Sequence, residues 1–419
     1  MNNWWQTAQE FLQTLRIPLG ITASRAGEHF HAVFGHDSLW SMMLALEAAR
    51  LRPDDVDYRE WTYDLSVAVL RGLAQLQGKI ENDYNEEQPG KIVHEYWNPV
   101  PEGHRRAGWP LVNGCYYGTL DATFLYMIAM RQFYELFHDK QLLEELWPSL
   151  QAAFYWALTY SDMDNDGFVE YERRNPNGHG LQNQVWKDSW DAVLLPGELE
   201  VDHPIAWVEV QGYALRAYTS MRSLLMQRNE LTPELDAQLA QRSTAISKAL
   251  HHFWMDDENC PTIALDKHKK AVYAVSSNAG HLLWSEAVDG EQATRIAQRL
   301  TRPDILSDWG LRTLSQYTHH YNPLIYHRGT VWPFDNAVVA IGLQRYGFEQ
   351  EARLLASSVM RAINAFTLPV ELYCVLPSRW VREPRLESEW LLADYPQSCS
   401  VQAWTAAAIL YFTALLEEV

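Results

Sequence analysis

The pattern that most restricts this chain is a helical hydrophobic period that returns from one end to the other. Over residues 56–78, Trp61, Leu65, Val69, Leu73 and Leu76 follow steps of four and three, which lines one helix face. Comparable patterns fall at 38–51, 119–138, 141–160, 205–228, 233–254, 291–300, 331–346, 349–366 and 400–417. Shorter helices are expected to begin at Ala8, Trp190 and Ser277. That is roughly a dozen helices at about 35-residue spacing. Strand-like alternation is confined to 168–171 and 272–275. Proline and glycine (Pro18, Gly20, Pro53, Gly78, Pro89, Gly90, Gly347) punctuate between helices, as helix boundaries require. With no linker and no tight repeat, the expectation is one all-α domain over 1–419, built of paired antiparallel helices. Twelve such helices close into a double-layered (α/α)6 barrel, with loops at one end forming a cavity. The long polar loop 79–118 is of a length usually reserved for function.

Composition narrows what such a cavity would hold. Aromatic residues reach 12%, with 18 Trp and 21 Tyr, more than packing needs and suited to flat, hydroxyl-rich ligands. The net charge of −19 opposes binding to nucleic acid or an anionic membrane surface. Cys115, Cys260, Cys374 and Cys399 are widely spaced with no CxxC pair, so neither a zinc site nor a disulfide framework is expected. The start of the chain lacks a basic region followed by an apolar run, and no stretch of about 18 apolar residues exists. A cytoplasmic protein with a neutral small-molecule partner is the expectation.

The residues with chemistry cluster between helices or at their starts. Densest is 183–191, Asn-Gln-Val-Trp-Lys-Asp-Ser-Trp-Asp, where Trp186 and Trp190 offer flat faces and Asp188 and Asp191 are candidate proton donors. Lys187 between them bears on their pKa values. Others are Phe34-Gly-His-Asp-Ser-Leu-Trp40, Lys91-Ile-Val-His-Glu-Tyr96, Tyr117-Gly-Thr-Leu-Asp121, Val208-Glu-Val-Gln-Gly212, Tyr326-His-Arg-Gly-Thr-Val-Trp-Pro-Phe-Asp-Asn336 and Leu368-Pro-Val-Glu-Leu-Tyr-Cys374. Taken alone, Asp37 and Asp121 read as helix caps or first-turn acids, and His327 as a bonded core histidine. Repetition weakens that reading, because helix starts at one end of a barrel converge on one cavity.

These motifs, together with Asp164-Asn-Asp-Gly-Phe-Val-Glu-Tyr171, resemble the bacterial amylo-α-1,6-glucosidase family. That family is related to the glucosidase domain of glycogen debranching enzyme and, more distantly, to trehalase-like and glucosidase-I-like hydrolases. The likeness runs in order from about residue 28 to 417. It implies an (α/α)6 barrel that hydrolyses an α-glucosidic bond with inversion. Asp188 matches the family's general acid and Glu371 its general base. Inverting hydrolysis needs that pair, one protonated carboxyl at the leaving oxygen and one carboxylate holding water on the opposite ring face. Burial would raise the pKa of Asp188 as its role demands, and Lys187 is expected to point away or to bind a substrate hydroxyl. The resemblance assigns the sugar-binding wall to Asp37, Trp40, Glu95, Tyr117, Asp121, Trp186, Lys187, Asp191, Gln211, His327, Trp332 and Trp404. No cofactor or metal is expected.

Three departures bear on the substrate. His36 stands where the family usually has Arg, Val370 interrupts the usual Leu-Pro-Glu-Leu, and the family's large N-terminal domain has no counterpart. A small α-glucoside or short oligosaccharide is therefore expected, with limit dextrin or glycogen as the alternative. A sugar isomerase or epimerase on the same barrel would work with paired histidines, and His36, His94, His281 and His327 are scattered. A silent carbohydrate-binding protein would have lost Asp188 or Glu371, and both are present. Asp162, Asp164 and Asp166 have the spacing of a calcium loop, but the twelfth position holds Arg173 instead of Glu.

Overall fold

The computed structural model describes residues 3–377 and 390–417. Six helices form an inner ring: α2 (Gly35–Leu51), α5 (Ala122–Phe137), α7 (Val208–Gln227), α9 (Asn278–Trp284), α11 (Pro333–Arg345) and α13 (Ala403–Glu417). Each packs on the next, and α13 returns to α2, which closes the barrel. Six others form the outer layer: α1 (Trp4–Leu15), α3 (Val56–Gln75), α6 (Lys140–Thr159), α8 (Pro233–Ala249), α10 (Gly290–Leu300) and α12 (Glu349–Phe366). The expected (α/α)6 barrel is the fold.

Sequence explains which helix goes where. In α13 every residue from Ala403 to Phe412 is buried, and α11 is buried from Pro333 to Leu343. A helix apolar around its whole girth is stable only when surrounded. Outer helices carry one apolar stripe, such as Trp4, Ala8, Leu12 and Leu15 of α1. Where α9 meets α11, Gly342 is required: a Cβ there would lie 2.6 Å from the Trp284 backbone nitrogen.

The helix starts separate the two layers. Five outer helices begin with a side-chain cap, from Asn3, Asp55, Asp139, Thr232 and Asp289. The starts of α2, α5, α7, α9 and α11 have no side-chain cap bond. In α2, α7 and α11 the free N–H groups and positive dipole end are instead matched by a first-turn acid, Asp37, Glu209 and Asp335 respectively. Asp121 precedes α5 but caps nothing; its carboxylate turns to Thr119 and His36.

Local structure departs from expectation in four places. No helix begins at Trp190: the segment runs in turns, because the Asn183 amide takes the carbonyls of Ser189 (2.7 Å) and Trp190 (3.2 Å). The 168–171 stretch makes only a bridge from Tyr171 to Ile205, and the strand expected at 272–275 is Ala271–Val272. Loop 79–118 contains a short helix, α4 (Glu102–Ala107). A hairpin of Tyr373–Pro377 with Trp390–Asp394, read from no alternation, follows Glu371.

Candidate active site

The cavity at the end of the barrel has two connected chambers. The inner one, about 310 Å3, is lined by Phe30, Phe34, His36, Asp37, Trp186, Asp188, Tyr326, His327, Trp332, Glu371, Gln402 and Trp404. The outer one shares Phe30, Phe34, Asp188 and Tyr326 with it and opens to solvent.

The 183–191 segment is the hinge between them. Trp186 lies flat against His281 (5.8 Å, 4°) and edge-on to Phe334 (5.0 Å), fixing its other edge as chamber wall. Lys187 turns the opposite way, fully buried, with Nζ donating to Asn278 Oδ1 (2.6 Å) and the Thr313 carbonyl (3.0 Å). Burial lowers its pKa to about 8 against the pull of Asp335 and Glu209. Asp188 points back into the cavity, 28% exposed and at the junction of the chambers. Its pKa is raised to about 7, mainly by burial, with Asp37 and Glu95 adding to the effect against His36.

Glu371 arrives from the other side of the barrel. Its backbone N–H donates to the Cys399 carbonyl (2.9 Å), and Gln402 N–H donates to the Pro369 carbonyl (3.0 Å), so the loop is pinned to the start of α13. This holds Glu371 in the chamber despite the added Val370, which packs beside Val331, Tyr373 and Val375. Burial pushes its pKa up to about 8, opposed by two donors: the Cys399 N–H (2.9 Å, to Oε2) and the Tyr326 hydroxyl, to Oε1. Asp188 receives no comparable donor; its neighbour His94 is 3.9 Å away and held neutral by burial.

His36 bridges two acids, Asp37 (3.3 Å) and Asp121 (3.3 Å). Burial alone would lower its pKa, but these carboxylates outweigh it and raise it to about 9. Asp37 accepts from Gln402 Nε2 (3.1 Å) and is raised by burial to about 6. The aromatic wall is continuous: Trp332 stacks on His327 (4.9 Å, 17°), and Trp404 on Phe334 (3.8 Å, 12°). Among the described residues, Trp186 Nε1, His327 Nε2, Gln402 Oε1 and Trp404 Nε1 have no hydrogen-bond partner in the protein. Buried polar atoms of this kind are costly unless a ligand satisfies them.

Asp37, Trp186, Asp188, His327, Trp332, Glu371 and Trp404 thus meet in one chamber, with Asp121 one layer behind His36 and Glu95 in the outer chamber. Besides Asp121, five expected wall residues do not line either chamber. Trp40 has no open face, being wedged against Trp284 (4.7 Å) and Tyr213 at 0% exposure. Tyr117 donates its hydroxyl to the Leu76 carbonyl, Gln211 clamps the backbone of Val169, and Asp191 faces Arg328 (3.6 Å). Lys187 is the fifth, as described. Phe30, Phe34, Tyr326 and Gln402 were not singled out. Phe34 and Tyr326 stand in the motifs themselves and Gln402 two residues before Trp404, whereas Phe30 carries no signal.

The Asp162, Asp164 and Asp166 carboxylates gather within 4.8 Å. The protein's own cations serve them: Arg242 bonds Asp162, and Lys269 Nζ bonds Glu170 and lies 3.2 Å from Asp166. No described helix is long and apolar enough to cross a membrane.

Fold and cavity together define a glycoside hydrolase, and comparison with known proteins agrees. The model of the mannosylglycerate hydrolase MGH1-like glycoside hydrolase domain matches residues 117–368, well over half of the chain. The chain therefore belongs to that family. The match supports the broader part of the resemblance, a glycoside hydrolase acting on carbohydrate, and does not single out debranching. No curated protein sequence matches. Solved structures with the same fold include the GH63 mannosylglycerate hydrolase from Thermus thermophilus in complex with Tris and D-glycerate. It has 16% identity and a TM-score of 0.67, covering 98% of this chain and 100% of that one. The same enzyme in complex with glucose gives the same values. A wild-type glycosidase matches at 12% identity and a TM-score of 0.60, covering 99% of this chain and 96% of that one.

Proposed function

We propose that the chain is an inverting hydrolase of a small α-glucoside, with Asp188 as general acid and Glu371 as general base. The observation that carries this reading is the placement of both carboxyls in one chamber with unequal hydrogen bonding. Glu371 accepts two donors, which favours its charged form, and Asp188 does not. Burial pushes Asp188 to about 7 and Glu371 to about 8, so near neutrality the pair retains one proton. The donors on Glu371 hold its pKa close enough to that of Asp188 for part of the pair to carry the proton on Asp188 with Glu371 ionised, the arrangement that reacts. As the anomeric C–O bond breaks, Asp188 gives its proton to the leaving oxygen. Glu371 takes a proton from the water that attacks the opposite face of the ring. The products are the free alcohol and a sugar of inverted anomeric configuration.

The unpartnered polar atoms of Trp186, His327, Gln402 and Trp404 match ring hydroxyls, and the stacked indoles match C–H faces. Paired-histidine epimerase chemistry is disfavoured because His36 is tied to both Asp37 and Asp121 and His94 does not line the inner chamber, where the groups facing each other are carboxyls. The test is to supply a panel of α-glucosides, including isomaltose, trehalose, glucosylglycerate and limit dextrin, and to follow the first-released anomer by NMR. The β-anomer appearing first is expected. Asp188→Asn and Glu371→Gln are each expected to lower turnover by about 10³-fold or more, with folding intact. Retention of configuration, or near wild-type rate in either variant, would refute the assignment. The family description and the Thermus enzyme's name put glycerate glycosides on that panel.

A further inference from the structure

The outer chamber sits on the leaving-group side of Asp188, so it is where the aglycone would rest if Asp188 is the acid. Its volume is about 1020 Å3 including the open mouth, more than three times that of the inner chamber. Its surfaces are aromatic. Phe34 sits edge-on to Phe30 (5.9 Å) and to Trp97 (6.1 Å), with Trp109 alongside. At the rim Trp190 is 60% exposed, an unusual state for an indole not anchored by a partner.

Its charge is equally distinctive. No described lysine or arginine lines it. The two arginines of α4 lie outside its lining: Arg106 bonds Glu102 (3.0 Å), and Arg105 lines an adjoining groove on the far side of Trp97 and Trp109, with Asn98 and Asn113. The chamber's own ionisable anchor is an acid. Glu95 is buried at its floor, and both carboxylate oxygens accept indole N–H groups, one from Trp97 (2.7 Å) and one from Trp109. That clamp holds the two indoles in fixed orientation and leaves an acid, raised to about 7 by its burial, and not a cation beneath the ligand. His104 and His94 are both lowered by burial, so neither offers a compensating charge, and the remaining basic side chain of the lining, His29, is exposed to solvent at the mouth. A small anionic aglycone would lose water here and meet no counter-ion, which is costly. A neutral ring would find flat faces on several sides.

We infer that the outer chamber is an aglycone subsite for a neutral ring with an apolar face, either a second sugar or an aryl group, and that it selects against carboxylate aglycones. This rests on the proposed hydrolase reading, and the experiment separates the two. Wild-type kcat/KM is measured on phenyl α-glucoside, isomaltose and glucosylglycerate; the first two distinguish an aryl from a sugar occupant. At least one neutral-ring substrate is expected to exceed glucosylglycerate by about tenfold or more. Trp190→Ala is expected to lower the ratio of neutral-ring to glucosylglycerate kcat/KM by about two- to tenfold, the worth of one aromatic contact. Leu181→Arg, placing a cation in the wall, is expected to shift that ratio toward glucosylglycerate.

A wild-type preference for glucosylglycerate, or a ratio unmoved by both variants, overturns the subsite while leaving the hydrolase standing. If no α-glucoside is cleaved, the hydrolase reading fails, and calorimetry decides the subsite alone. Phenyl α-glucoside binding to the Asp188→Asn protein at least about tenfold tighter than glucosylglycerate supports it, and the reverse overturns it.

Discussion

Tyr326→Phe removes one atom and tests the division of labour between the two carboxyls. The Tyr326 hydroxyl donates to Glu371 Oε1, while the Cys399 N–H keeps Oε2 occupied. A hydrogen bond to a charged group contributes about 1.5–3 kcal/mol, and its loss falls on the ionised form of Glu371 alone. In the singly protonated pair, the arrangement with the proton on Asp188 and the charge on Glu371 is therefore disfavoured by that amount. At about 1.4 kcal/mol per factor of ten, the productive arrangement falls roughly ten- to hundredfold. The sign of the pH effect follows. Wild-type kcat/KM should be bell-shaped, with limbs near the values to which burial raises Asp188 and Glu371, about 7 and about 8. In the variant Glu371, already the higher of the two, rises further, so the last proton leaves later and the alkaline limb moves up. Stopped assays across pH 5–10 on the best substrate, with thermal unfolding as control, read both effects. A raised KM with unmoved limbs would mean that Tyr326 only touches substrate, and the reasoning about Glu371 would be wrong.

Asp191→Asn should leave turnover within about threefold of wild type, because Asp191 pairs with Arg328 outside the cavity; a catalytic collapse would make it the acid instead. Trp40→Ala should cost about 3–5 kcal/mol in denaturant unfolding, as large-to-small core changes do, while KM in the surviving folded fraction stays near wild type. Lys269→Met should lower Tm and create a calcium response that the wild type lacks, since it strips the cation from Asp164, Asp166 and Glu170. An unchanged Tm with and without millimolar calcium would show that the cluster needs no counter-charge.

The barrel was legible because a helical hydrophobic period recurs along nearly the whole chain, and in α11 and α13 apolar residues cover the whole girth. The site was legible only to the depth of the first helical turn. Trp332 precedes α11 and Trp404 is the second residue of α13, so both reach the cavity. Trp40 is the sixth residue of α2 and Gln211 the fourth of α7, and by that depth the side chains already belong to the ring's core or clamp its backbone. Asp191 would share a face with Asp188 only on a helix, and Asn183 withdraws the carbonyls such a helix needs. Phe30 lies in a loop with no period at all, so only the closed chain brings it to the cavity.

His36 stands where the resemblance to amylo-α-1,6-glucosidases leads one to expect arginine. A histidine in place of arginine gives up a permanent charge and a planar fork of donors. Here burial between Asp37 and Asp121 restores the charge, because removing the proton would leave two buried carboxylates facing each other. The imidazolium then acts from two ring nitrogens, 3.3 Å from each acid, and stacks on Trp404 (6.1 Å, 20°). Asp121 is held below its usual range by this contact despite its burial, so the His36–Asp121 pair is nearly neutral in sum. The remaining acids of the chamber, Asp37, Asp188 and Glu371, are all raised by burial. A chamber whose one cation among the described residues is already committed to two acids, and whose His327 is held neutral by burial beside three acids, is suited to an uncharged glycone. Its selectivity must therefore come from hydroxyl geometry and ring faces, the features that distinguish one neutral sugar from another.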